Sequence, residues 1–189
     1  MISIIIPNRE EPKIQKLIMG VTDIFPEAEV IICTDRYGKG KGWAIREALK
    51  EAKGDIIGFI DGDLDIEPRM FLRLFPFLKD YDIVVGSKIV RGSIGRRWLT
   101  RLSRIYLHIF FGFDYDTQTG IKLFHRYALL DWKTNGFMYD LEILWKARQK
   151  GLQIIQVPVE VTNYGKSAKP MRFGNVWRSL VETLKIRSS

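Results

Sequence analysis

Short apolar runs rich in Ile and Val alternate along this chain with longer stretches of helical period, and that rhythm leaves few folds open. Ile2–Ile6 reads as a first strand, stopped by Pro7, and Lys13–Phe25 as the helix after it. Glu29–Cys33 is a second strand, and Gly42–Lys53 carries Ala44, Ile45, Ala48, Leu49 and Ala52 at helical spacing. Asp55–Ile60 forms the next strand. A short helix follows Pro68 to about Lys79, then strand Ile83–Val85. Ile121–Phe124 and Leu152–Val161 read as further strands, with a helix around Asp140–Lys150 between them and a closing helix at Met171–Ile186. Strand and helix in turn specify an α/β fold: a mostly parallel, Rossmann-like sheet flanked by helices. No repeat, low-complexity tract or linker interrupts the 189 residues, so one domain over 1–189 is expected.

In open α/β sheets, ligands bind outside the carboxyl ends of the strands. Asp61, Gly62, Asp63 and Asp65 follow directly on the apolar run IIGFI, at such an end. Three acids within five residues repel one another unless a cation joins them. Hard oxygen ligands favour Mg²⁺ or Mn²⁺, which also takes oxygens from a substrate phosphate. Gly62 leaves room for a ligand near the backbone. Standing alone, such a cluster also suits a solvated acidic turn. Upstream, however, lies Gly38-Lys39-Gly40-Lys41-Gly42, a glycine-rich loop opening a helix. Such a loop can offer backbone N–H groups and ammonium charge to phosphates. Trp43 after Gly42 breaks the P-loop spacing, which disfavours an NTPase. Acids and loop together make a coherent nucleotide-diphosphate site.

The net charge of +8 favours an anionic partner. One stretch concentrates that charge: on a helical wheel over 96–113, Arg97, Arg101, Arg104 and His108 share one face. Trp98, Leu102, Ile105, Ile109 and Phe113 share the other, so 92–113 is expected to be an amphipathic interfacial segment. A helix packed on the core with a solvated basic face is the competing reading. No window is apolar enough over about 18 residues to span a bilayer. The first residues, MISIIIPNREEP, are apolar too briefly and lack a basic lead, so no signal peptide is expected. The lone Cys33 rules out an internal disulfide and fits a buried strand residue in a reducing cytoplasm. The expected location is therefore cytoplasmic, peripheral on the cytoplasmic face of a membrane.

Several segments in order resemble one family: IIIPNREEP, GKGWAIREALKEAKGD, FIDGDLDIEP, DIVVGSK, DTQTGIKLFHR, GFMYDLEILWKARQKG, VPVEV and YGKSAK. Together they are similar to the family 2 glycosyltransferases of the GT-A fold, especially the dolichol-phosphate mannosyltransferase group. The resemblance implies that Asp61 and Asp63 hold the divalent ion against a donor diphosphate, with Asp65 a further candidate ligand. It implies that Pro7 and Glu11 contact the nucleoside, with Arg9 where the family has an aromatic. Asp35 matches the second acid of an Asp pair whose first position is Thr34 here. Lys41, Gly62 and Lys166 join the implied donor site, and Lys166, Lys169 and Arg172 form a basic cluster near the diphosphate. Gln118, within Asp116-Thr117-Gln118-Thr119-Gly120, matches a segment lining the sugar and acceptor. Lys88, Arg91, Arg97, Arg101 and Gln118 are the candidate acceptor contacts. Asp140 and Glu142 follow the family's F-x-x-D-x-E pattern, and helix-terminal acids fit them equally well. Between Asp35 and Gly38 the chain lacks the family's loop, helix and extra strand, so a more open pocket is expected.

The activity so implied is metal-dependent, inverting transfer of a hexose, mannose or glucose. It runs from GDP-mannose or UDP-glucose to a polyprenyl (dolichyl-type) phosphate or a glycan. A phosphate acceptor is already anionic and needs no base. A sugar hydroxyl would call on Asp116 or Asp140. Two other readings remain at this point. A sugar-phosphate nucleotidylyltransferase would carry a Gly-rich signature after the first strand, where this chain has Pro7-Asn8-Arg9. A non-catalytic membrane or nucleic-acid binding module would use the basic surface alone; nucleic acid is not the expected partner.

Overall fold

The computed structural model describes residues 1–8, 11–88, 105, 107–113, 117, 119–162, 183 and 186. Its elements in chain order are β1 (Ile2–Asn8), α1 (Ile14–Ile24), β2 (Glu29–Thr34), α2 (Lys41–Leu49) and β3 (Ile56–Ile60). Then come α3 (Phe71–Leu74), β4 (Ile83–Lys88), β5 (Ile121–His125), α4 (Tyr139–Gln149) and β6 (Ile154–Val159). The six strands form one sheet in the order β2-β1-β3-β5-β4-β6.

β1 lies between β2 and β3 and runs parallel to both. The chain therefore steps from β1 to β2 in one direction, and from β2 back over β1 to β3 in the other. Right-handed crossovers in opposite directions place their helices on opposite faces of a sheet. The packing agrees: Leu17 and Val21 of α1 join Ile4, Ile6 and Ile60 in one core, with Phe71 and Leu74 of α3. Ala44, Ile45 and Ala48 of α2 join Ile5, Ile57 and Phe59 in the other, with Leu141, Ile143 and Leu144 of α4. Alternate residues of β1 thus feed two cores, as the two-residue side-chain period of a strand requires. Each of Ile4, Ile5 and Ile6 is fully buried, worth about 1.5–3 kcal/mol apiece.

Four strands share the β1 direction. β5 runs antiparallel to both β3 and β4, an orientation its apolar run does not encode. The consequence is positional: the start of β5 lies beside the carboxyl ends of β3 and β4. Ile121 pairs with Ile60, and the Asp61 amide donates to the Gly120 carbonyl at 2.9 Å.

The other departures from expectation are local. The helix expected from Pro68 to Lys79 is broken into 3₁₀ turns at Pro68–Met70 and Phe75–Lys79 around α3. Pro76 has no N–H to continue the ladder. β4 runs on to Lys88, because Gly86, Ser87 and Lys88 pair with Val157, Pro158 and Val159. β6 tolerates Pro158 as an edge strand.

In the basic segment, residues 105 and 107–111 are helical, and its remainder from 92 to 104 lies outside the described residues. Ile105 and Ile109 face outward, 47% and 67% exposed, while Leu107, Phe111 and Phe113 are buried. The expected grouping of Phe113 with Ile105 and Ile109 is therefore corrected. Gly112, with φ +65°, ends the helix, and Phe113 turns into the core instead of continuing the wheel. Arg148 of α4 donates to the Gly112 and Phe111 carbonyls, tying this helical turn to the core. Of the closing helix expected at Met171–Ile186, Thr183 and Ile186 are described; both are helical and buried.

Candidate donor site

The crevice sits where β1 and β3 separate from the crossovers, at the topological switch of the sheet. A cavity of about 160 Å³ there is lined by Pro7, Asn8, Glu11, Cys33, Asp35, Lys41, Ala44, Asp61, Gly62, Asp63 and Phe137. Of the residues singled out from sequence, it brings together Pro7, Glu11, Asp35, Lys41, Asp61, Gly62 and Asp63. Arg9, Arg91, Arg97, Arg101, Asp116, Gln118 and Lys166 lie outside the described residues.

Asp61 leaves the end of β3 and meets the Lys41 ammonium at 2.5 Å. Burial pushes its carboxyl up, but the charge and hydrogen bond of Lys41, aided by Lys122 and Lys88, hold it below the usual range. Asp63 goes the other way: burial first, then the neighbouring Asp65 and Asp61 carboxylates, raise it. Asp63 accepts the Asp65 amide at 3.0 Å. Between Asp63 and Asp65, Leu64 adopts φ +58° with its side chain buried, an uncommon backbone for a Leu.

The expected three-acid ligand set is not assembled. Among the described residues no group of three His, Cys, Asp or Glu side chains converges to hold a metal. At the end of β3 the cavity offers two carboxylates, Asp61 and Asp63, with Glu11 and Asp35 elsewhere in its lining. Two hard oxygen donors suit Mg²⁺ or Mn²⁺ completed by phosphate oxygens. Asp65 is not part of the cavity lining, and its backbone carbonyl accepts the Thr162 amide at 2.9 Å. Backbone closeness explains the glycines here. A Cβ on Gly62 would meet the Pro7 carbonyl at 3.0 Å, and one on Gly120 would lie 2.5 Å from Asp61 Oδ2.

The glycine-rich loop serves otherwise than expected. Asp35 accepts the Lys39 amide at 2.8 Å and the Gly40 amide at 2.6 Å, closing the short turn after β2 on itself. The Trp43 amide donates to the Asn135 carbonyl at 3.2 Å. Two of the amides expected to cradle phosphate, those of Lys39 and Gly40, are thus committed within the protein, as is that of Trp43 just after the loop. Gly40 and Gly42 are required by contact: a Cβ would lie 2.3 Å from the Asn135 carbonyl or 2.6 Å from the Thr134 carbonyl. The loop's contribution to the cavity is the Lys41 side chain. Lys39 instead lies over the Trp43 ring at 4.8 Å.

Behind the cavity stands a second ion pair. Lys122 on β5 lies 2.9 Å from Asp140 Oδ1 at the start of α4, the side chains 2% and 7% exposed. Lys122 also donates to the Thr119 carbonyl at 2.5 Å. Burial raises the Asp140 carboxyl, against the opposing charges of Lys122 and Lys41. Glu142 accepts the amides of Lys133 and Thr134 and pairs with Lys146 at 2.7 Å. It therefore fixes the 133–136 turn that packs on α2. Lys88, at the end of β4, adds positive charge felt by both Asp61 and Asp63.

Lys122, Asn8, Phe137 and Gly120 were not singled out from sequence as site groups. Lys122 carried a signal, a lysine between the buried-looking Ile121 and Leu123. Phe137 opens the F-x-x-D-x-E pattern of Asp140 and Glu142, but nothing in that pattern marks it as a cavity group; 56% exposed, it reaches the cavity through the turn before α4. Cys33 is buried as expected and lines the cavity, its thiol pushed up to about 12 by burial.

A six-stranded, mostly parallel sheet with one reversed strand and an acidic pair at its switch point defines a GT-A fold. The chain belongs to glycosyl transferase family 2, whose model matches residues 20–130. Glycosyltransferase AglD of Haloferax volcanii is 29% identical over 133 residues, covering 64% of this chain and 21% of that protein. Polyprenol monophosphomannose synthase of Mycolicibacterium smegmatis is 22% identical over 153 residues, 74% of this chain and 56% of that one. Undecaprenyl-phosphate mannosyltransferase of Micrococcus luteus is 21% identical over 222 residues, 96% and 91%. Across the first of these relatives the chain spans from 21% to 56% of their length. Glucosyl-3-phosphoglycerate synthase of Mycobacterium tuberculosis, solved with Mn²⁺ and UDP-glucose, superposes with a TM-score of 0.79 at 20% identity. That superposition covers 99% of this chain and 78% of that one, and shows the shared fold.

Proposed function

We propose that this chain is a metal-dependent, inverting glycosyltransferase that moves mannose or glucose from GDP-mannose or UDP-glucose to a polyprenyl phosphate. The observation that carries the reading is that Asp61 and Asp63 face one cavity with Pro7, Glu11 and Asp35 at the sheet's switch point. Relatives named for polyprenol- and undecaprenyl-phosphate mannosyl transfer support the acceptor class.

Asp61 and Asp63 would hold Mg²⁺ or Mn²⁺ against the donor diphosphate, where the ion supplies Lewis-acid stabilisation of the leaving group. Lys41 and Lys88 add positive charge where the nucleoside diphosphate departs, in a site already arranged before reaction. Pro7, Asn8 and Glu11 flank the nucleoside, and Gly62, with no Cβ to press on the Pro7 carbonyl, keeps that wall close beside Asp61 and Asp63 in the donor site. The acceptor attacks the anomeric carbon from the face opposite the leaving group, with Lys88 and the basic residues Arg91, Arg97 and Arg101 drawing in its phosphate. Asp140 is a poor general base, because it is buried and paired with Lys122. That favours an acceptor which is itself anionic, and Asp116 and Gln118 are left to position sugar and acceptor.

No described helix is long and apolar enough to cross a membrane. The outward Ile105 and Ile109, continuous in sequence with the arginines of 91–104, favour peripheral contact with an anionic membrane on its cytoplasmic face. In this reading residues 1–189 form one catalytic domain, with 92–113 its interfacial segment.

The test is transfer of labelled hexose from each donor to a short-chain polyprenyl phosphate with Mn²⁺. Asp63→Asn is expected to lower the rate about 100-fold or more, by analogy with losing one preorganised electrostatic group. An unchanged metal-dependent rate in that variant would sink the proposal.

A further inference from the structure

Lys41 already supplies a cation to Asp61, one of the two carboxylates proposed to hold the metal. Its ammonium is 2.5 Å from Asp61 Oδ1, its side chain largely enclosed, and it lies 5.8 Å from the centre of the Tyr139 ring. The other carboxylate whose charge Lys41 feels strongly, Asp140, already has Lys122 at 2.9 Å. Within the cluster, then, Lys41 answers Asp61 and Lys122 answers Asp140. Asp63 has the Asp65 amide and the field of Lys88.

We propose that Lys41 is a built-in counter-cation that holds Asp61 until a diphosphate arrives, so that the divalent ion and the nucleoside diphosphate load as a pair. A divalent ion arriving alone meets a carboxylate that is committed, with a like charge in contact with it. A diphosphate brings negative charge to which the flexible Lys41 stem can turn, and Asp61 is released to the metal. The two ligands then help each other by the same factor, as linkage requires. This inference rests on the donor-site reading above and adds to it an order of loading and a role for one residue.

The experiment is Mn²⁺ binding, followed by paramagnetic resonance or calorimetry, to wild type, Lys41→Met, Lys41→Gln and Lys41→Arg, without and with GDP or UDP. In wild type, Mn²⁺ alone should bind weakly and the nucleotide should tighten it. Both neutral variants should bind Mn²⁺ alone about tenfold tighter and show a smaller nucleotide enhancement; having two guards against one failing to fold. Lys41→Arg keeps the charge and should keep the wild-type pattern. The inference is overturned, with the donor site intact, if the neutral variants still bind nucleotide but take up Mn²⁺ alone no more tightly. It is overturned equally if Lys41→Arg behaves like Lys41→Met. Failure of wild type to bind either nucleotide with Mn²⁺ defeats the donor-site reading and this inference with it.

Discussion

The Lys122 ammonium on β5 lies 2.9 Å from the Asp140 carboxylate at the start of α4, both nearly excluded from solvent. This pair joins the reversed strand to the helix behind the cavity. Removing one partner leaves the other charge buried. Lys122→Met or Asp140→Asn alone should therefore cost about 3–5 kcal/mol, while the double change to Met and Leu should come within roughly 1 kcal/mol of wild type. Urea unfolding of the three variants checks this.

Gly120 is placed to test the geometry of Asp61 separately from its charge. A Cβ there would lie 2.5 Å from Asp61 Oδ2, and the Gly120 backbone is not in a left-handed conformation. Gly120→Ala should thus shift the carboxylate more than it strains the fold. Metal-dependent nucleotide affinity should fall by up to about 10²-fold, the order expected from misplacing a site group by 1 Å. Thermal unfolding beside calorimetry separates the two effects.

Glu142 predicts part of the acid limb of stability. Burial raises its carboxyl, but the Lys146 hydrogen bond and the amides of Thr134 and Lys133 bring it below the ordinary value of 4.5. With the folded value below the unfolded one, the unfolded chain binds more protons between them. The stabilisation is full above the unfolded value and is lost as pH falls through the folded one. Glu142→Gln should cost about 1.5–3 kcal/mol near neutral pH, the range for hydrogen bonds to a charged group. That difference should shrink as unfolding is measured at progressively lower pH below 4.5.

The helical turn before Gly112 predicts opposite outcomes for two neighbours. Ile109 is 67% exposed and Phe111 buried. Ile109→Glu should leave the melting temperature nearly unchanged and weaken binding to vesicles containing anionic lipid. Phe111→Ala should cost about 3–5 kcal/mol of stability. Vesicle co-sedimentation and denaturant unfolding read the two.

Much of this was legible in the sequence because Ile/Val runs and helical periods report burial directly. Asp61 was locatable because an acid ending the run IIGFI must stand at a strand's carboxyl end. What was hidden depended on partners distant in the chain. The direction of β5 is absent from IKLFH, so neither Gly120 against Asp61 nor Lys122 behind it could be placed. The loop glycines looked like a phosphate cradle, but Asp35 takes the Lys39 and Gly40 amides, and Asn135, about ninety residues on, takes the Trp43 amide just after the loop. Phe113 left the amphipathic wheel because Gly112 ended the helix one residue earlier.

The central claim is that Asp61 and Asp63 form a metal-dependent site for a nucleotide sugar. Calorimetric titration of GDP-mannose and UDP-glucose into wild type and Asp63→Asn, each with Mn²⁺ and with EDTA, tests it most directly. One donor should bind wild type with Mn²⁺ and be lost both with EDTA and in Asp63→Asn. Since Asp63 is raised by burial and like charge, that variant should melt no lower than wild type. Binding that survives EDTA and the substitution alike, or no binding of either donor, would contradict the claim.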